Sequence, residues 1–304
     1  MSNGKQLTKK QHFIPRVYLR GFSIDDNNIT DNDKKRINYY DLINDEFKTD
    51  VKINTQCCEK NIYELTDEKG DQILPNYLEK ALGLLEIQFP KYRDKLRGKA
   101  FIDDNYKTKS FLTHEEKVFW IVYMTLQLMR DPQILKATEE ATIELLNINT
   151  NQARNIARQL CLPLFNEINE NSPESKLIDA FMNPMLNMSF AVCVDKEARF
   201  ITSDKPVNVY SEKMPCKEYD FIIFPISAEL CLLMFGGEEK GINGRNNLLP
   251  ITDEIREIIF CNIVDNANDK IFLNHKIDKK EKTWIREVMN NKKKLINTIT
   301  TFIE

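Results

Sequence analysis

From Phe221 to Ile226 the chain reads FIIFPI, with no polar interruption. A strand with one wet face alternates polar and apolar side chains, whereas an unbroken apolar run suits a central strand covered on both faces. A second apolar run, Leu230–Phe235, follows after a short turn. Further strands are expected at Met188–Val194 and Arg199–Thr202, with a short one at Ile271–Leu273. Early strands are expected at Arg36–Leu42, Phe47–Ile53 and Ile62–Leu65, separated by turns rich in Asn and Asp. Because the late strands follow one another by short turns, the sheet is expected to be mixed or mainly antiparallel.

Between these two β regions the texture is helical. Leu78, Leu82, Leu85, Phe89, Tyr92 and Leu96 recur at helical spacing, which predicts a helix over Asn76–Leu96. Thr113 and Glu116 match a capping box, and the helix they open, Glu115–Arg130, is apolar nearly all round from Val118. Asp131-Pro132 reads as the cap and first residue of the next helix. Further helices are expected over 132–148, 152–168 and 173–182, and late ones at Glu254–Val264 and Lys279–Ile303. The assembly is an α+β fold. Segments 1–74 and 186–304 form a sheet core, and 75–185 form an inserted helical subdomain.

Bulk properties exclude several functions. With 43 basic and 46 acidic side chains the net charge is −3, so a generally basic nucleic-acid coat is ruled out. Nine glycines in 304 residues argue against a glycine-rich phosphate loop. Seven cysteines with no C-x-x-C, and three scattered histidines, give no reason to expect a zinc site or a disulfide framework. The first ten residues, MSNGKQLTKK, are polar and basic. The longest strongly apolar stretch, Val118–Met129, is shorter than the ~20 residues a bilayer needs. A soluble, cytoplasmic protein with no membrane partner is expected.

Several polar residues are out of place in this pattern. In QHFIPRVYLRGF (11–22), Pro15 suits the start of a short helix, and Gly21 suits the left-handed residue that ends one. Arg16 and Arg20 would then share a face. His12 would lie near the positive end of the backbone dipole, which favours a neutral ring able to act as a general base. Gln127 and Arg130 end the most buried helix. Either Arg130 ties to a carboxylate and Gln127 to backbone, or both face a substrate. Glu86, between Leu82 and Phe89, needs a partner, for which Arg130 and Arg16 are candidates. In ITSDKPV (201–207), Ser203 and Asp204 read locally as a turn closing a strand, and alternatively as a ligand site with Asp204 as base or magnesium ligand. Asn262 and Asn266, i and i+4 on an apolar helix, imply a ligand or a capping role. Residues 276–304 carry Lys292-Lys293-Lys294 and read as a solvated helix face or a nucleic-acid contact. The apolar positions Trp284, Val288, Leu295 and Ile299 read as core or as a dimer face.

These segments together resemble the bacterial domain-of-unknown-function 4238 family. The resemblance rests on QHFIPRVYLRGF, NYYDL (38–42), KNIYEL (60–65), Glu86, the Gln127/Arg130/Pro132 group, ITSDKPV, FPIS (224–227) and Asn262. Lys205 departs from the T-S-D-N-P that the family's turn resembles. The resemblance implies a single architecture and draws attention to His12, Glu86, Gln127, Arg130 and Asp204. It carries an association with phage defence and toxins but no reaction. The residue types point to an intracellular phosphodiesterase acting on nucleic acid or a nucleotide. His12, Glu86 and Asp204 would be acid/base groups, with Glu86 and Asp204 alternatively holding magnesium. Arg16, Arg20, Gln127, Arg130, Ser203 and Asn262 would hold substrate. A non-catalytic nucleotide- or peptide-sensing protein is the alternative. A buried network fixing the helical insert to the sheet is a third.

Overall fold

The structure is a computed structural model and describes residues 10–24, 34–102, 111–161, 182–210, 220–236 and 246–290. Its centre is a five-stranded sheet. The strands β7 (Ser189–Val194), β9 (Asn208–Tyr210), β10 (Phe221–Ser227), β11 (Leu230–Phe235) and β12 (Asn246–Pro250) lie in the order β12-β7-β11-β10-β9. Only the β12–β7 pairing is parallel. All seven residues of β10 are buried. Alternate side chains of this strand enter two different cores: Ile222, Phe224 and Ile226 on one face, Phe221 and Ile223 on the other. The period-two geometry of a strand therefore turns one apolar run into the partition between two cores.

One face is covered by helices α3 (Phe89–Ile102) and α4 (His114–Met129) and by the N-terminal segment. The other face is covered by α7 (Asp253–Asn266), α8 (Lys279–Asn290) and a second sheet. That second sheet has four strands in the order β3-β2-β13-β8: β2 is Arg36–Asp41, β3 Glu46–Lys52, β8 Thr202–Ser203 and β13 Lys270–Leu273. Early and late segments do share a sheet, through β2 and β13, but it is not the sheet that holds β10. A strand apolar on both faces needs a complete layer on each side. Tyr40, Ile271 and Leu273 of the second sheet supply part of one.

The helical region runs from α2 (Tyr77–Glu86) through α5 (Pro132–Leu146) and α6 (Thr150–Cys161). Both sides of the Thr113–Glu116 capping box are made, and Asp131 caps α5 with Pro132 in its first turn. The single helix expected over Asn76–Leu96 is two. Pro90 has no N–H to return to the Glu86 carbonyl, so α2 ends at Glu86 and α3 restarts at Phe89. The helix expected at 173–182, all but its last residue, and the basic run Lys292-Lys293-Lys294 lie outside the described residues, as do Leu295 and Ile299. Trp284 and Val288 are core. Among the described residues no helix is long and apolar enough to cross a membrane.

The N-terminal segment is anchored deeply. β1 (Lys10–His12) pairs with β4 (Cys58–Lys60), and α1 (Arg16–Leu19) follows. Ile14, Tyr18, Leu19 and Phe22 are fully buried. The Tyr18 ring stacks on Phe224, and its hydroxyl donates to the Pro225 carbonyl at 2.7 Å while meeting Thr202 Oγ1 at 2.7 Å. Gly21 is not the left-handed stop expected: the chain continues as a 3-10 turn over Arg20–Phe22. Its role is close approach, since a Cβ there would meet the Ile226 carbonyl at 3.1 Å and Ser227 at 3.2 Å.

Candidate functional site

The short α1, helix α2 and the end of α4 bring one polar group together. Arg130, 3% exposed, is its centre. Its Nη1 binds Glu86 Oε1 at 2.9 Å, its Nε donates to the Tyr63 hydroxyl at 3.1 Å, and its Nη2 donates to the His12 carbonyl. Burial and Arg130 act oppositely on Tyr63, and burial wins, pushing its pKa up to about 12. The hydroxyl thus keeps its proton and meets the Arg130 carbonyl at 3.4 Å. Gln127, one turn earlier, donates to the Phe13 carbonyl at 2.8 Å. The helical insert is therefore tied to the N-terminal segment through main-chain carbonyls of residues 12 and 13. A buried guanidinium with three partners meets the condition under which burying it is tolerable.

Around this centre lie three groups with chemical potential. His12 Nε2 is 3.2 Å from the Asn54 carbonyl. A carbonyl only accepts, so the neutral ring carries its proton on Nε2 and presents Nδ1 as acceptor. Burial, then Arg16, then Arg130 push the His12 pKa down to about 4 against the pull of the Asn54 carbonyl. Arg16 is exposed at the first position of α1. Glu79, in the first turn of α2, has its Oε2 buried with no hydrogen-bond partner. Burial and the neighbouring Glu86 carboxylate raise its pKa to about 7, opposed by Arg130 and Arg16. His12 and Glu79 therefore feel the same two guanidinium groups. The His12 ring is held neutral and the Glu79 carboxyl partly protonated near pH 7, so the two pKa values diverge in opposite directions from their ordinary values.

The expected site residues divide into separate places. His12, Arg16, Glu86 and Arg130 form this group, and Gln127 braces it. Arg20 is not part of this group. It lines a cavity of about 580 Å³, with Arg93, Arg97 and Glu229, that has no lining residue in common with the group around Arg130. Ser203 closes its own turn, donating to the Lys205 carbonyl at 2.8 Å and accepting from the Lys205 amide at 3.1 Å. Asp204 accepts the amides of Asn268 at 2.9 Å, Asp269 at 2.8 Å and Lys270 at 3.2 Å. Burial still raises its pKa against those three amides. Asn262 donates back to the Ile258 carbonyl at 2.8 Å, and Asn266 to the Asn262 carbonyl at 3.0 Å, the local bonding that bends helices. No hydrogen bond or ion pair joins Asp204 to His12, Glu86 or Arg130. A magnesium pair from Glu86 and Asp204 is not assembled: each carboxylate is held by its own partners. Among the described residues no three His, Cys, Asp or Glu side chains group as metal ligands.

Asp204→Ala is expected to strand three amides at the junction of α7 and β13 and to cost about 2–4 kcal/mol. Asp204→Asn, which keeps one acceptor oxygen, is expected to cost about half as much. Denaturant midpoints of the two variants check this, and equal stability to wild type would remove the structural role.

The model of the family described as proteins of unknown function, DUF4238, matches residues 10–277 of the 304. The chain belongs to the DUF4238 family. No curated protein and no solved structure matches it. The matched span includes every member of the Arg130 group, from β1 to the end of α4.

Four residues of the group escape a reading of the sequence. Glu79 lies two helical turns before Glu86 on the same face of α2. The argument that singles out Glu86 between two apolar positions applies equally to Glu79, beside Leu78. Tyr63 and Glu64 belong to a segment expected as an ordinary strand, Ile62–Leu65, and Gln11 opens the segment in which His12, Arg16 and Arg20 draw the attention. Gln11 is fully buried, donating to Glu64 Oε1 at 2.6 Å and accepting the Tyr63 amide at 2.8 Å. It thus sets the turn that aims the Tyr63 hydroxyl at Arg130.

Proposed function

We propose that the group around Arg130 is an acid–base site that hydrolyses a phosphodiester, in nucleic acid or a nucleotide. The observation that carries the proposal is Glu79: a carboxyl with one unbonded oxygen, poised to hold its proton near neutral pH, acted on by the exposed Arg16 and by Arg130, the two guanidinium groups that also act on the neutral His12 imidazole. Arg16 offers the anionic phosphate a cation, which lowers the cost of further charge on the attacked phosphorus. His12 Nδ1 takes a proton from the attacking water or hydroxyl as its oxygen bonds to phosphorus. Glu79 gives its proton to the oxygen whose bond to phosphorus breaks. The site is left with imidazolium and carboxylate, and one proton returned through water resets both. Arg130 is a positioning residue, since its donors hold Glu86, Tyr63 and the His12 main chain.

A bound phosphate also corrects the weakness of His12 as a base. The ring's proton affinity is low partly because it faces arginines with no anion of its own. The substrate supplies that anion only when it is in place.

Induced expression of wild type, His12→Ala and Glu79→Gln, with RNA and DNA integrity followed, tests this reading. Purified proteins would be assayed in parallel on bis(p-nitrophenyl) phosphate. Either variant is expected to lower turnover by about 10²–10⁴-fold at unchanged fold. Wild type and variants that behave alike on all three substrates would sink the catalytic reading. The second reading is binding without turnover. It draws on Gln127 and Arg130, whose donors point at protein carbonyls rather than outward, and it expects nucleotide binding that survives Glu79→Gln.

A further inference from the structure

On the far side of the Asn61–Glu64 turn lies a cavity of about 440 Å³, between that turn and helices α5 and α6. Its size is within the ~300–1,000 Å³ that small-molecule sites occupy. Four cations line it: Lys60, Lys136, Arg154 and Arg158. Three carboxylates line it too, but two are already engaged. Glu64 holds Gln11 and the Asn76 amide, and Glu139 pairs with Arg154 at 3.2 Å; the third is Glu59.

Arg158 is the unusual member. All three of its nitrogens donate to main-chain carbonyls: Nε to Ile62 at 2.7 Å, Nη2 to Asn61 at 3.3 Å, and Nη1 to Glu64. It makes no ion pair with a described residue. A guanidinium has five N–H donors, so two remain after these three bonds. The carbonyls fix its orientation without neutralising its charge, and Arg154 lies one turn away on the same helix face. Burial, then Arg154, lower the Arg158 pKa to about 10, against the smaller pull of Glu139 and Glu64. An independent feature points the same way. Lys60, at the cavity rim, lies directly opposite Lys10 across the β1–β4 ribbon, a like-charge pairing that destabilises a ribbon unless an anion offsets it.

We propose that this cavity binds a small phosphate-bearing molecule, with Arg158 and Arg154 clasping the phosphate and Lys60 and Lys136 closing over it. The site is separate from the Arg130 group but shares a wall with it. The turn whose carbonyls hold Arg158 also carries Tyr63, whose hydroxyl accepts from Arg130. A ligand here is therefore placed to act on the acid–base group through three residues of main chain.

Calorimetric titration tests the proposal, with inorganic pyrophosphate, AMP and glucose 6-phosphate as probes on wild type, Arg154→Gln, the double variant Lys60→Gln/Lys136→Gln, and Arg16→Gln. The lysines are exposed and make no main-chain bonds, so the double variant keeps the fold where Arg158 substitutions would disturb the turn. Binding of at least one probe is expected, weakened tenfold or more by Arg154→Gln and by the double variant and left within twofold by Arg16→Gln. If the three probes bind equally, the site reads phosphate alone. If AMP or the sugar phosphate binds tighter than pyrophosphate, the organic part is read as well. No probe binding at millimolar concentration would overturn the proposal. So would binding lost in Arg16→Gln and kept in the cavity variants, which would instead credit the acid–base site.

Discussion

Arg130→Met is expected to cost about 3–5 kcal/mol, the penalty typical of breaking a buried ion pair from one side. Methionine fills the space of the aliphatic stem but removes the donor from three acceptors: the Glu86 carboxylate, the His12 carbonyl and the Tyr63 hydroxyl, which keeps only its 3.4 Å bond to the residue-130 carbonyl. The cost is unequal among them. Glu86 is 29% exposed at its side chain and recovers water, whereas Tyr63 is almost fully buried and recovers little. Glu86→Gln is therefore expected to cost about 1 kcal/mol or less, since an amide oxygen still accepts from Nη1. Arg130→Met/Glu86→Leu is expected to regain part of the single-variant loss by removing the orphaned charge. Equilibrium unfolding of the three variants measures the ordering. An Arg130→Met protein as stable as wild type would show that the insert is not held to residues 12 and 13 by this group.

The second large effect is on the pH dependence of Glu79 and His12, in activity and in stability. For activity, kcat/KM is expected to rise through the His12 pKa near 4, as the ring becomes neutral, and to fall above the Glu79 pKa near 7, as the acid ionises. Above pH 7 the loss approaches tenfold per pH unit. Both limbs are expected to move upward in kcat, because a bound phosphate favours the protonated form of each group. Glu79→Gln is expected to abolish the alkaline limb along with most of the turnover. A wild-type profile without an alkaline limb would remove Glu79 as the acid.

For stability the two groups act with opposite signs. His12 has a folded pKa below its unfolded value of about 6.5, so the unfolded chain binds more protons between pH 4 and 6.5. Stability from this group rises with pH across that window and is lost as pH falls through it. Glu79 has a folded pKa above its unfolded value of about 4.5, so the native state binds more protons between pH 4.5 and 7. Its contribution falls as pH rises through that window. Each is worth about 2 kcal/mol after allowance for partial exposure. In wild type they largely cancel. Glu79→Gln should uncover the rising His12 dependence, and His12→Asn the falling Glu79 dependence. Variants with parallel, flat stability curves would mean that neither group is perturbed.

These expectations rest on a group that was only half legible beforehand. The internal tie of Arg130 to a carboxylate and Gln127 to backbone follows from one argument: a buried cation and a buried amide at the end of an apolar helix must find partners. Glu86 as that carboxylate follows from its place between apolar neighbours. Turn closure at Ser203 is likewise local, because a Ser hydroxyl bonds the main chain two residues on. Gathering all of these into one site was not local, and there the structure differs. Asp204 finds its partners in Asn268, Asp269 and Lys270, sixty-odd residues on. Nothing in the spacing of ITSDKPV announces that. Asp195 is a similar case: a fully buried carboxylate bound to Arg256 from another element.

What the amino-acid order determined by itself is whatever repeats at short range. The unbroken apolar run FIIFPI made β10 a strand with two dry faces. The Thr113–Glu116 box and Asp131-Pro132 started α4 and α5, and the missing N–H of Pro90 split α2 from α3. Only the tertiary structure decided which carboxylate keeps a proton near neutral pH. A pKa of about 7 on Glu79 is a property of surroundings assembled from α1, α2 and α4. Burial and a neighbouring charge depend on distance in space, and distance in space is not a function of separation along the chain.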